Sequence, residues 1–261
     1  MLTVLWMGLG LFLSASAFLV TQRQSALGAR AEVEAARAVD LARSGLNVAM
    51  ADLGRLTETG PKSPRDGRPT TIAMAEGQVT YRIFDEAGKI DINEAPVELI
   101  RPAMQAVGQR AGFDAFDASN IAEAIVANRG QQERTLYQIL SDAGLGPRAA
   151  EIAMESFTAY NFSRQVNPRT APVNVLAVIP GLGPGDVEDI ISRRRLGQPM
   201  PRLGTASIWL AELEGPSFTI VSDATMAGGA RARMVALVAT EGLSFRGGLT
   251  RYEILNVRIE R

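Results

Sequence analysis

Residues 1–20 read MLTVLWMGLGLFLSASAFLV, twenty positions without a charge, and residues 24–53 continue as QSALGARAEVEAARAVDLARSGLNVAMADL. As a helix the first run would be roughly 30 Å long, the thickness of the hydrocarbon core of a bilayer. In the second run Ala35, Ala38, Val39, Ala42, Leu46, Ala49, Met50 and Leu53 recur at three- and four-residue steps, which draws one apolar stripe along a helix. Arg30, Glu34 and Arg37 place opposite charges next to one another on the other face, where they suit water. The first proline is Pro61, and Gly28 and Gly45 lower helix propensity without forbidding it. The spacing therefore predicts one nearly continuous helix over 2–53, roughly 75 to 80 Å long and ending near Leu56, half for lipid or other apolar helices and half for a folded domain.

Two plainer readings compete for the start. Ala15-Ser16-Ala17 resembles a signal-peptide cleavage site, but no basic residue precedes the apolar run and Phe18-Leu19-Val20 carries it past the cut. A simple signal anchor would give the same run lipid contact as its only role. The missing positive charge ahead of the run is read as a sign that a short basic leader belongs before it.

Composition narrows the chemistry. The 261 residues carry a formal net charge of −1, which argues against a strongly basic nucleic-acid surface. They include no cysteine and no histidine, so disulfides, thiolate metal sites and imidazole bases are excluded. A hydrolase built on carboxylates would survive that filter, but no paired-acid motif supports one.

Beyond the helix, TETGPKSPRDGRPT (57–70) reads as an exposed loop. TTIAMA and QVTYRIFD flank Glu76-Gly77 as a β-hairpin, with Val79, Tyr81 and Ile83 on one face. Three more strand-like runs come only at the end: PSFTIVSDA, ARARMVALVAT and TRYEILNVRIE. The middle one alternates Ala232, Met234, Ala236 and Val238 against Arg231, Arg233, Val235 and Leu237, and its apolar second half suits a central strand. The predicted fold is α+β: a long N-terminal helix packed on an antiparallel sheet of two strands before, and three after, a large α-helical insertion. The corresponding divisions are 1–22 (membrane or filament-core helix), 23–56 (its amphipathic continuation), 57–90 (first part of the sheet), 91–214 (insertion) and 215–261 (remaining strands).

The insertion reads as an internal repeat. Ala95-Pro96-Val97-Glu98-Leu99-Ile100 recurs as Ala171-Pro172-Val173-Asn174-Val175-Leu176, and Ile121 to Arg129 resembles Val187 to Arg194. Each proline is expected in a first helical turn. Thr135–Leu140 and Pro147–Phe157 carry helical patterning between the copies. The second copy adds Pro180-Gly181-Leu182-Gly183-Pro184 between Val175–Ile179 and Val187–Arg194, a unit that looks like a helix-hairpin-helix. In nucleic-acid-binding members such a hairpin offers backbone N–H groups to phosphate, but here Asp186 stands at the helix start and Arg193-Arg194-Arg195 is the one basic cluster. A packing module of the same shape is the preferred reading, and a membrane-anchored helix-hairpin-helix DNA-binding protein is the alternative.

Taken together these residues resemble the K-type minor pseudopilin family of bacterial type II secretion systems. The resemblance rests on the Leu2-Thr3-Val4-Leu5 start, on Asp85-Glu86-Ala87-Gly88-Lys89-Ile90-Asp91-Ile92-Asn93 at the edge of the insertion, and on Val166-Asn167-Pro168-Arg169-Thr170-Ala171 before the hairpin. It implies a non-enzymatic subunit at the tip of a short periplasmic filament, anchored by one pass in the inner membrane. Its partners would be the I-, J- and H-type minor pseudopilins and the inner-membrane secretion platform, not nucleic acid. Leu2, Thr3, Val4, Leu5, Leu9, Leu11, Leu13, Phe18 and Leu19 would form the membrane or filament-core face. Thr3 occupies the place where major subunits carry a glutamate that neutralises a neighbour's N-terminal amine; a terminal subunit gains nothing from such a buried charge. The resemblance also raises calcium as a candidate ligand. Asp85, Asp91, Asp114 and Asp117 are the oxygen donors at hand, but their spacing follows no calcium loop and solvated carboxylates are the preferred reading.

Overall fold

The computed structural model describes residues 2–54, 56–57, 60–61, 63–113, 116–129, 135–240 and 252–260, and within these the side chains at 2–5, 8–11, 13–15, 17, 20, 56–57, 60–61, 240 and 252 are left aside. Helix α1 runs without interruption over Leu2–Leu53, the span read from the sequence, and stops three residues short of Leu56. Its last turns present Ala38, Val39, Leu41, Ala42, Leu46, Ala49 and Leu53 as a buried stripe. The alanines let the helix axis come close to the sheet, and Gly45 closes the distance further. A β-carbon at Gly45 would lie 2.2 Å from Val79 Cγ1 and 2.5 Å from Ser222 Oγ. Ser222 Oγ meanwhile donates to the Ala42 carbonyl at 2.8 Å, so helix backbone and sheet touch directly.

After α1 come β1 (Leu56–Thr57) and β2 (Gly60–Pro61), a two-residue antiparallel pair, then β3 (Thr70–Met74) and β4 (Gly77–Asp85). A 3₁₀ turn at Glu86–Gly88 leads to β5 (Ile90–Asp91) and the helices α2 (Val97–Ala111), α3 (Ala118–Ala127), α4 (Leu136–Asp142) and α5 (Pro147–Ala153). Strand β6 (Phe157–Thr158) follows, then α6 (Val173–Leu176), α7 (Pro184–Leu196), a 3₁₀ stretch at Gly204–Trp209, and the strands β7 (Ser217–Met226), β8 (Arg231–Thr240) and β9 (Tyr252–Glu260). The main sheet has the order β3-β4-β7-β8-β9 and is antiparallel throughout. It is the divided sheet expected from the sequence, with β8 flanked on both sides. Val79, Tyr81, Ile83, Phe218, Ile220, Ala224, Ala232, Met234, Ala236 and Val238 face α1 and are buried with it.

Because β4 and β7 are neighbours and Asp85 pairs with Phe218, the insertion leaves and re-enters the sheet at one point. It has a core of its own, centred on Ile90, Ile92, Leu99, Ile100, Met104, Ile125, Leu140, Phe157, Leu176 and Ile190. Several details differ from the sequence reading. Pro96 and Pro172 are N-cap residues, extended at ψ 158° and 154°, one position ahead of the first turn. α6 is a single turn, so the first arm of the hairpin motif is shorter and earlier than Val175–Ile179. The helical patterning of Pro147–Phe157 stops at Ala153, and Phe157 joins β6, which pairs in parallel with β5.

Candidate functional site

Two of the three segments that carry the family resemblance, 85–93 and 166–171, are pressed together where the insertion meets the sheet. Asp85, the last residue of β4, is 2% exposed and takes four donors. The Ala87 N–H (2.9 Å) and the Gly215 N–H (3.2 Å) reach Oδ1, and the Thr170 hydroxyl (3.2 Å) and Asn167 Nδ2 (3.4 Å) reach Oδ2. One carboxylate thus ties the outgoing strand, the returning strand and the second repeat into one neck. The Asn167 N–H adds a 2.7 Å bond to the Ala87 carbonyl, and Gly88 fits because a β-carbon there would lie 2.7 Å from the Thr170 backbone. Burial pushes the Asp85 carboxyl up to about 6, partly offset by the Ala87 and Gly215 N–H bonds. Glu86, also buried, accepts from Lys89 Nζ (2.9 Å) and from the Thr219 hydroxyl on β7 (2.7 Å).

Asp91 works the same way inside the insertion. Its Oδ1 accepts from the N–H groups of Asn93 (2.8 Å) and Glu94 (3.3 Å), and its Oδ2 from those of Asn161 (2.9 Å) and Phe162 (2.8 Å). Burial raises its carboxyl above the ordinary range, against the pull of those bonds. Asp117 caps α3 through the Asn120 N–H at 2.9 Å. Asp85 and Asp91 are therefore neither the solvated carboxylates nor the gathered donors that the sequence left as choices, whereas Asp117 is exposed to solvent as preferred; each is the acceptor of a separate turn. Asp114 lies outside the described residues. Among the described residues no three acidic side chains converge to hold a metal.

The internal repeat is visible in atomic detail. Arg129 Nε donates to the Ile92 carbonyl at 3.1 Å, and its Nη2 donates to that of Ala95. Arg194 Nε donates to the Pro168 carbonyl at 2.5 Å and its Nη1 to that of Ala171 at 2.7 Å. The two targets are equivalent positions ahead of the Ala-Pro helix starts. In each copy the strand leading to that start also finds a parallel partner further on: β5 pairs with β6, and Val166 bridges to Leu210. The repeated arginine was legible in the sequence, but its job was not.

The hairpin residues Pro180 to Pro184 link α6 to α7. Gly181 has φ 89°, which requires glycine, and Pro184 opens α7 after Gly183 as N-cap. Asp186 reaches back 2.8 Å to the Gly183 N–H, so the backbone donor that such hairpins offer to phosphate is already taken. The three arginines of the basic cluster part company. Arg193 holds Asp189 at 2.9 Å, Arg194 lies on the carbonyls just described, and Arg195 is exposed.

Of the expected membrane face, Phe18 is 62% and Leu19 68% exposed, and Trp6, Met7 and Phe12 are exposed as well. Residues 21–33 are exposed on every side of α1. Among the residues whose side chains are described, no helix is long and apolar enough to cross a membrane; Leu2, Thr3, Val4, Leu5, Leu9, Leu11 and Leu13 of the expected span have side chains outside them.

No family model and no curated protein matches this sequence. Among solved structures, 92% of the chain matches 99% of a chain from the crystal structure of the GspK-GspI-GspJ complex from the enterotoxigenic Escherichia coli type 2 secretion system, at 16% identity and a TM-score of 0.48.

Proposed function

We propose that this chain is a minor pseudopilin of the K type, a structural subunit that starts and caps a type II secretion filament and performs no catalysis. The observation that carries the proposal is the divided use of α1. Residues 38–53 are fastened to the chain's own sheet, whereas residues 21–33 are exposed on every side and Trp6, Met7, Phe12, Phe18 and Leu19 stand exposed on the same rod. Large apolar side chains on a free helix call for lipid or for other helices. A filament subunit meets both, the inner membrane before assembly and sibling helices afterwards, with the remaining domain in the periplasm. The insertion, hung from the sheet by one neck, suits a terminal position because a shaft subunit would have to bury it between neighbours. I-, J- and H-type siblings are the partners this reading assigns.

The test is genetic and biochemical. A strain lacking the chain should lose export of the system's substrates, and the full-length chain purified in detergent should retain the I- and J-type siblings. Undiminished export in the deletion strain would end the proposal.

A further inference from the structure

A cleft of about 450 Å³ opens beside the neck, between the 64–68 loop and the second repeat. Its charges are almost fully matched. Arg65 pairs with Glu214, Arg68 with Asp66 at 2.9 Å, and Arg169 with Glu212 at 2.5 Å. The fourth arginine in the wall, Arg194, binds only carbonyl oxygens, and its buried Nη2 has no acceptor; the buried Arg65 Nε has none either.

The first repeat supplies an internal control. There burial also lowers the equivalent Arg129, and the Glu94 and Asp91 carboxylates offset part of that loss against the opposing Arg164 charge. The corresponding positions in the second repeat are Asn167 and Thr170, both neutral. The clamp is kept in both repeats, whereas the two positions that carry Asp91 and Glu94 in the first are neutral in the second, which lines this cleft. Burial lowers the Arg194 guanidinium to about 10, and the nearest carboxylate field, from Asp66, is opposed by Arg169 and Arg68.

We propose that this cleft is a binding site for a single oxyanion, a carboxylate or phosphate group, which supplies the charge that Asp91 and Glu94 supply in the first repeat. Planar guanidinium groups at the exposed Arg68 and the half-buried Arg169 suit the paired oxygens of either group, with the Arg194 charge behind them. The site does not depend on the pseudopilin reading; an acidic side chain of a partner protein or a phosphorylated small molecule would present the same chemistry.

The experiment titrates the full-length chain in detergent with inorganic phosphate and, separately, with acetate, following binding by calorimetry at low ionic strength. Saturable binding in the millimolar range or tighter is expected. Two exposed side chains tune it without touching the core. Glu212→Gln removes one negative charge from the wall and should tighten binding about fivefold, and Arg68→Ala removes one positive charge and should weaken it by about the same factor. A preference for phosphate assigns the site to phosphorylated ligands, and a preference for acetate assigns it to carboxylates. Absence of saturable binding by both, or affinities that ignore both substitutions, would overturn the proposal.

Discussion

Replacing Gly45 with leucine should destabilise the chain by about 3 kcal/mol or more, whereas the same change at Gly28 should leave stability unchanged or slightly raised. The two glycines sit in one helix and look alike in sequence. A β-carbon at Gly28 would meet nothing within 4 Å, and one at Gly45 would fall inside Val79 and Ser222. Neither neighbour can retreat, because Val79 is fully buried in β4 and Ser222 is tied to the Ala42 carbonyl. The helix would have to lift, and that movement would open the packing of Ala42, Leu46 and Ala49 against the sheet at once. Denaturant unfolding of the full-length chain in detergent would measure the difference; equal stabilities for the two variants would show that α1 does not lie on the sheet as described.

The second large effect belongs to Asp85. Removing the carboxyl in Asp85→Ala strands the Ala87 and Gly215 N–H groups in a buried neck and should cost about 2 to 4 kcal/mol at pH 4, a deficit that shrinks as the native carboxyl ionises at higher pH. Asp85→Asn should behave differently. The native carboxyl titrates near 6 when folded and near its ordinary 3.8 when unfolded, so the unfolded chain gives up this proton first. The contribution of the group to stability is fully present below pH 4, falls as pH rises, and is lost once pH passes 6, a swing of up to roughly 3 kcal/mol. Asparagine has no proton to lose. It keeps an acceptor for the backbone N–H groups and offers its amide to the Thr170 hydroxyl. The Asn variant should therefore match the native chain at pH 4 and exceed it at pH 7. A native-minus-variant difference that stays flat between pH 4 and pH 7 would mean that the carboxylate is not held in a dry neck.

What could be read from the sequence follows the range of the interactions involved. α1 was legible because its stripe repeats over many turns, and β4 and β8 because buried and exposed side chains alternate along them. The pairs β1–β2 and β5–β6 are two residues to a strand, too short for any period to register. Ala95-Pro96 and Ala171-Pro172 announced helix starts correctly, but the extended backbone of both prolines places them just outside the first turn. Gly45 looked like a mere propensity cost because its reason lies in β4 and β7, far away in the chain. Asp85 and Asp91 were weighed as solvated carboxylates or calcium donors. Their true partners are mostly backbone N–H groups, which carry no sequence signal, although the local bonds from Asp85 to Ala87 and from Asp91 to Asn93 are turns that an aspartate at such positions commonly makes. The paired arginines fell at the ends of the two aligned repeats, yet only the folded structure reveals that each clamps the equivalent pair of carbonyls in its own repeat.

The central claim is that one helix serves its own sheet with its second half and an apolar environment with its first. The chain has no cysteine, so single cysteines introduced at Phe12, Phe18 and Val33 can each be probed alone. In intact inner membranes a water-soluble maleimide should modify Val33→Cys rapidly and leave Phe12→Cys and Phe18→Cys unmodified until detergent is added. Labelling of Phe12→Cys or Phe18→Cys as fast as Val33→Cys, before any detergent, would contradict the account.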